Sequence, residues 1–130
     1  MFLIDIINDY RTNRVIVIIL MLVVGFLGVC PHLPIPTVIK WQDKLEHMGA
    51  FFAISFFICR SFSKDTIYEL ENRISLAILI CITYGAFIET IQGFIPSRDP
   101  SLMDLIADVL GAILGVIFFR FVPFFDNVKR

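Results

Sequence analysis

The sequence predicts an all-α polytopic membrane protein, a bundle of four transmembrane helices preceded by a short N-terminal interfacial helix. Three observations lead there. The 130 residues are 58% hydrophobic and 18% charged, whereas an ordinary soluble domain is about 25% charged. A chain of this length forms one small domain, whose interior cannot bury so much Phe, Ile, Leu and Val, so the surplus has to face lipid or a partner. The apolar residues also fall into four runs, at 15–29, 45–62, 74–95 and 102–123. Each run, with its flanks, reaches or approaches the roughly 20 residues that cross a bilayer as helix. None alternates strictly with period two, and backbone groups cannot go unpaired in lipid, so helices are expected rather than barrel strands.

Residues 1–14 form the N-terminal segment, in which Leu3, Ile6, Ile7 and Tyr10 stand at i, i+3, i+4 and i+7, the spacing of an amphipathic helix lying in the membrane interface. The domain of four spans occupies 15–130, with spans at about 15–32, 43–62, 73–95 and 101–122. Arg11 and Arg14 ahead of the first run resemble the start of a secretory signal, and Leu27-Gly28-Val29-Cys30 loosely resembles a lipoprotein cleavage site. Val29 is too large for the position before such a cysteine, and Asp5 and Asp9 cancel the positive charge, so a retained span is expected. Pro31, Pro34, Pro36, Pro96 and Pro100 break the chain in the first and third connections.

Eight of the eleven basic residues lie on one side: Arg11, Arg14, Arg60, Lys64, Arg73, Arg120, Lys129 and Arg130. Lys40, Lys44 and Arg98 lie on the other. By the positive-inside rule both termini and the 63–73 loop are cytoplasmic, and the 30–44 and 96–101 loops face outward. A net charge of −1 and a mean hydropathy of +0.84 exclude both a phosphate-neutralising nucleic-acid binder and a disordered chain. Cys30, Cys59 and Cys81 show neither a C-x-x-C pair nor zinc-site spacing and read as small hydrophobes.

The informative residues are those that lipid should exclude. Asp43, Lys44, Glu46 and His47 open the second span, Glu89 and Gln92 close the third, Arg98 and Asp99 follow in the loop, and Asp104 and Asp108 open the fourth. Counting Glu89 back from Ile95 and Asp108 on from Leu102 puts each about 9 Å inside its helix end. Asp43 with His47, Glu89 with Gln92, and Asp104 with Asp108 each share a helix face. Buried charge in a membrane is costly, so one polar cluster at the outer mouth of the bundle is expected. On the fourth span Ala107, Gly111 and Gly115 make a small-residue stripe along which a neighbouring helix can approach, and Asp104 and Asp108 continue it upward.

Asp43-Lys44 with His47 and Phe51, then Glu89-x-x-Gln92-x-Phe94-x-Pro96-x-Arg98, then Ser101-x-x-Asp104 and Gly111-x-x-x-Gly115, resemble the VanZ-like family of bacterial membrane proteins over residues 41–119. The resemblance implies a bacterial cytoplasmic (inner) membrane and an association with teicoplanin-type glycopeptide resistance. The family usually has Asn where this chain has Asp108, so an extra acid stands beside Asp104 and Glu89. Neighbouring carboxylates resist ionising together, so one holds a proton unless a cation sits between them.

Four readings follow for the cluster. It can bind a lipid-linked or lipidated envelope molecule, with Arg98, Lys44 and the carboxylates on the headgroup, although taken singly Lys44 reads as snorkelling to the interface and Arg98 can equally anchor its loop to lipid phosphates. It can be an enzyme site with His47 or Glu89 as general base, although no nucleophile, zincin or Walker motif is present. It can serve a proton-coupled transporter, a reading weakened by its position at one end. Or it can be structural glue in a scaffold, with Ser101 capping the fourth helix and Asp104 completing a capping box. Asp104, Asp108, Glu89 and His47 could hold a divalent cation, but their spacing does not require one, and no cofactor is expected. The lipid bilayer is the expected partner, with Trp41 as an interfacial anchor.

Overall fold

A computed structural model describes residues 9–30, 39–62, 70–96 and 98–122. They form four helices: α1 (Tyr10–Val29), α2 (Gln42–Arg60), α3 (Leu70–Gln92) and α4 (Leu102–Phe121). No strand occurs among the described residues.

The first helix starts earlier than hydropathy suggests. Asp9 is its N-cap, its carboxylate accepting from the Thr12 amide at 3.0 Å and the Thr12 hydroxyl at 2.8 Å. Residues Tyr10 to Arg14, expected to belong to an interfacial segment, are therefore continuous with the span. The rest of that expected segment, 1–8, lies outside the described residues.

The helices alternate in direction. Asn13 and Arg14 at the start of α1 reach the carbonyls of Arg60 and Ser61 at the end of α2, at 3.4 and 3.0 Å. Gln92 at the end of α3 reaches Gly28 near the end of α1. Met48 and Phe52 on α2 meet Gly111 and Gly115 on α4. Thus α1 runs parallel to α3, α2 runs parallel to α4, and the two pairs are antiparallel, as chain crossings of one bilayer require. Both α1 and α4 pack on α2 and α3, and the most extensive contact is that of α2 with α4.

By length and composition α1, α3 and α4 are apolar enough to cross a membrane, and α2 is not. Its first two turns carry Asp43, Lys44, Glu46 and His47. Position explains how α2 tolerates them. Within α2 only Leu45 of the large hydrophobics is exposed, while α1 exposes Val15, Ile18, Leu22 and Phe26 and α4 exposes Leu102, Leu110, Ile113 and Phe121, among others. Helix α2 instead supplies Phe51, Ile54 and Ile58 to a core completed by Ala77, Cys81 and Ile88 of α3 and Ala112 and Val116 of α4.

Lipid is as apolar as Leu, so burial alone does not drive such helices together; close packing and interhelical hydrogen bonds do. At Gly111 a Cβ would run into the Met48 backbone, and at Gly115 into Phe52 and Ser55. These glycines let the α2 and α4 backbones touch. On the other side of the bundle a Cβ at Gly25 would stand 2.6 Å from the Tyr84 hydroxyl, which donates to the Met21 carbonyl.

Candidate functional site

The glycine contacts set the register of the ionisable groups. With Gly111 against Met48, the turn above brings Asp108 to His47, and the turn above that brings Asp104 to Lys44. His47 Nδ1 lies 2.9 Å from Asp108 Oδ1, and Lys44 Nζ pairs with Asp104 and, at 3.1 Å, with Asp43 Oδ2. Asp108 is 1% exposed and Asp104 7%. Space for Asp108 comes from α3: a Cβ at Gly85 would lie 2.7 Å from Asp108 Oδ2.

Glu89 approaches the same place from α3. Because α3 ends at Gln92 and the chain turns through 93–96, Glu89 lies in the last helical turn, less deep than counting from Ile95 implied. Its Oε2 accepts from the Ser101 amide at 2.7 Å, while its Oε1 is buried with no hydrogen-bond partner among the described residues. Ser101 occupies the N-cap position of α4 but its side chain makes no capping bond. Asp104 likewise turns to Lys44 rather than back to the cap. His47, Glu89 and Asp108 each offer one ligand atom within 4.8 Å of the others, and so do Asp43, His47 and Asp104.

On the other flank of His47 a cavity of about 280 Å³ opens between α1, α2 and α3. Val24, Leu27, Ala50 and Ile88 line its apolar side, and Asp43, Glu46, His47, Gln92 and Arg98 its polar side. Glu46 accepts from Gln42 one turn earlier at 2.9 Å. Gln92 Nε2 donates to Gly28 O at 3.0 Å, and Arg98 Nη2 to Leu27 O at 3.2 Å and Cys30 O at 3.0 Å. Those are the orphan carbonyls at the end of α1, which in lipid must find donors. In the structure Arg98 caps the end of α1, and Lys44 bridges Asp43 and Asp104.

Asp43, Lys44, His47, Glu89, Gln92, Arg98, Asp104 and Asp108 thus gather at one end of the bundle, but in two compartments joined by His47. One is a carboxylate cluster between α2, α3 and α4; the other is the cavity beside α1. The residues that sequence reasoning missed are Gly85 and Gly28. Their signal was absent because neither belongs to a repeat, and each matters only for what faces it.

A family model described as VanZ/LLP1 matches residues 8–123, which takes in all four helices. An uncharacterized protein of Schizosaccharomyces pombe is 30% identical over 105 residues, covering 78% of this chain and 59% of that protein. The chain therefore spans about three-fifths of its relative's length. No solved structure matches.

Proposed function

The chain belongs to the VanZ/LLP1 family, and from that premise we propose that this end of the bundle binds an amphipathic envelope molecule, a lipid-linked or lipidated saccharide, at the outer leaflet of a bacterial inner membrane. The observation that carries the reading is the cavity beside α1, apolar on one side and lined by Asp43, Glu46 and His47 on the other. Its 280 Å³ is near the lower end for small-molecule pockets, about 300 Å³, and suits a headgroup rather than a whole lipid. The acyl portion would lie along Val23, Phe26 and Leu27, all exposed on α1.

The polar wall is rich in acceptors, since Lys44 and Arg98 are engaged within the protein. Acceptors suit the hydroxyls and amines of an amino sugar better than a bare phosphate. A lipoglycopeptide such as teicoplanin combines a sugar-bearing head with an acyl tail, which fits the association that the family resemblance implies. The distribution of Lys and Arg supports an outward-facing site with both termini in the cytoplasm.

A second reading has one observation in its favour: most charged side chains here already have partners inside the protein, as a structural scaffold would require. One experiment separates the two. In a Gram-positive host lacking a relative, teicoplanin susceptibility is compared for wild type, Glu46→Gln, His47→Gln and empty vector under the same induction, with the membrane level of each protein measured alongside. Protection by wild type that the substitutions abolish without lowering protein level supports a binding site. Equal susceptibility of wild type and vector rejects a lipoglycopeptide ligand, and loss of protein in the variants favours the scaffold.

A further inference from the structure

We propose that His47, Glu89 and Asp108 form a site for one divalent first-row transition-metal ion of the Mn²⁺ or Zn²⁺ type. Three helices converge there, α2 with an imidazole nitrogen, α3 with a carboxylate oxygen and α4 with another, all within 4.8 Å of one another. Metal–ligand bonds of about 2.0 to 2.2 Å place ligand atoms roughly 3 to 4 Å apart, so side-chain adjustments of up to about 1 Å each would bring all three atoms within bonding distance of one ion.

An independent observation marks the place. Glu89 is 8% exposed, and its Oε1 is wholly buried without a hydrogen-bond partner among the described residues. A buried carboxylate oxygen left unpaired is among the costlier states a protein can hold, and a bound cation would relieve it. The neighbouring trio makes a useful contrast. Asp43 and Asp104 already have the Lys44 ammonium between them. The inner trio has two buried carboxylates and only His47 to balance them, so the exogenous ion belongs there.

The ligand chemistry narrows the ion. Two carboxylates alone would suit Mg²⁺ or Ca²⁺, whereas an imidazole in the set shifts preference toward first-row transition metals. Gly85 keeps clear the volume beside Asp108 Oδ2 that any larger residue would fill. The ion would lie at the wall that His47 shares with the cavity, but the proposal does not depend on what the cavity binds.

The test uses the full chain purified in detergent, stripped with chelator and titrated with Mn²⁺ while the free-ion signal is followed by electron paramagnetic resonance, with Zn²⁺ and Mg²⁺ as competitors. The expected result is one ion per chain, displaced by Zn²⁺ and not by equimolar Mg²⁺. Affinity should fall at least roughly tenfold in Glu89→Gln and in Asp108→Asn, by analogy with the effect of disturbing groups around known metal sites. Mn²⁺ should raise the thermal midpoint of wild type and leave that of Glu89→Gln unmoved, which keeps the test readable if Asp108→Asn does not fold. No ion bound by wild type below millimolar Mn²⁺, or unchanged stoichiometry and affinity in Glu89→Gln, would overturn the proposal.

Discussion

The two ends of the bundle bury polar groups in opposite ways. At the end where α1 begins, side chains close on backbone: Asn13 donates to the carbonyls of Asp9 and Arg60, Arg14 to that of Ser61, and the Ser61 hydroxyl to that of Ile58. At the other end, ionisable side chains close on one another, Lys44 on Asp104 and His47 on Asp108, and an oxygen of Glu89 is left over. Backbone groups near a helix end must be satisfied whatever the protein does. Carboxylates in a membrane bundle need not be there at all, and a surplus of them at this end is what the proposed site would account for. Gln92 and Arg98 show that the division is one of roles rather than of place, because both stand at the carboxylate end and yet serve the carbonyls of α1.

The comparison breaks most completely if the shared register is removed. In Gly111→Val the added side chain meets the Met48 backbone, and α2 must move off α4. Overpacking a close contact costs about 1 to 3 kcal/mol or more, and the variant should also lose the Lys44–Asp104 and His47–Asp108 pairs together. Thermal unfolding and a cysteine crosslink between α2 and α4 would show both losses. Next in size is Asp108→Ala, which strands His47 and removes a buried partner. A loss of about 1 to 3 kcal/mol is expected in the same unfolding assay, smaller for Asp108→Asn.

Substitution at the far end should be milder and should not touch the site. Asn13→Ala removes the hydrogen bond from α1 to the Arg60 carbonyl of α2, and interhelical hydrogen bonds in membrane proteins average about 0.6 kcal/mol. Stability should fall by that order while teicoplanin protection and Mn²⁺ affinity stay at wild-type values. The smallest effect is at Asp9, outside the apolar part of the first span. The Thr12 hydroxyl and then its amide stabilise the ionised Asp9 carboxyl and hold it below its ordinary value. Its contribution is present above the carboxyl's unfolded-state pKa and is lost as pH falls through the lower folded-state value. Hydrogen exchange at the Thr12 amide should therefore show a first turn of α1 that frays in acid, and Asp9→Asn should flatten that dependence.

Much of the architecture was legible because lipid imposes a strong and simple code. Apolar runs located all four helices, and the polar residues on three of them pointed to one end. Boundaries were less legible. Phe94 and Ile95 extend the third apolar run beyond the helix, which ends at Gln92, because hydropathy does not register a turn. Tyr10 to Arg14 read as outside the span, although the Asp9 cap makes them its first turn.

Partners were the least legible feature. Spacing within a helix suggested Asp43 for His47, whereas the structure gives His47 to Asp108 and Asp43 to Lys44. Periodicity tells which residues share a face, but register between helices depends on where backbones touch, here at Gly111 and Gly115. Arg98 was hidden for the same reason, since nothing local shows that the end of α1 lies within its reach.

The most direct test of the claim that the carboxylate end is kept for use rather than for stability is the unfolding midpoint of metal-free Glu89→Gln beside metal-free wild type, in the same detergent. Gln retains an oxygen for the Ser101 amide and removes the buried carboxylate. The account predicts a midpoint equal to or above that of wild type, the pattern of a functional group held at the expense of stability. A midpoint well below wild type would contradict it and make Glu89 part of the scaffold.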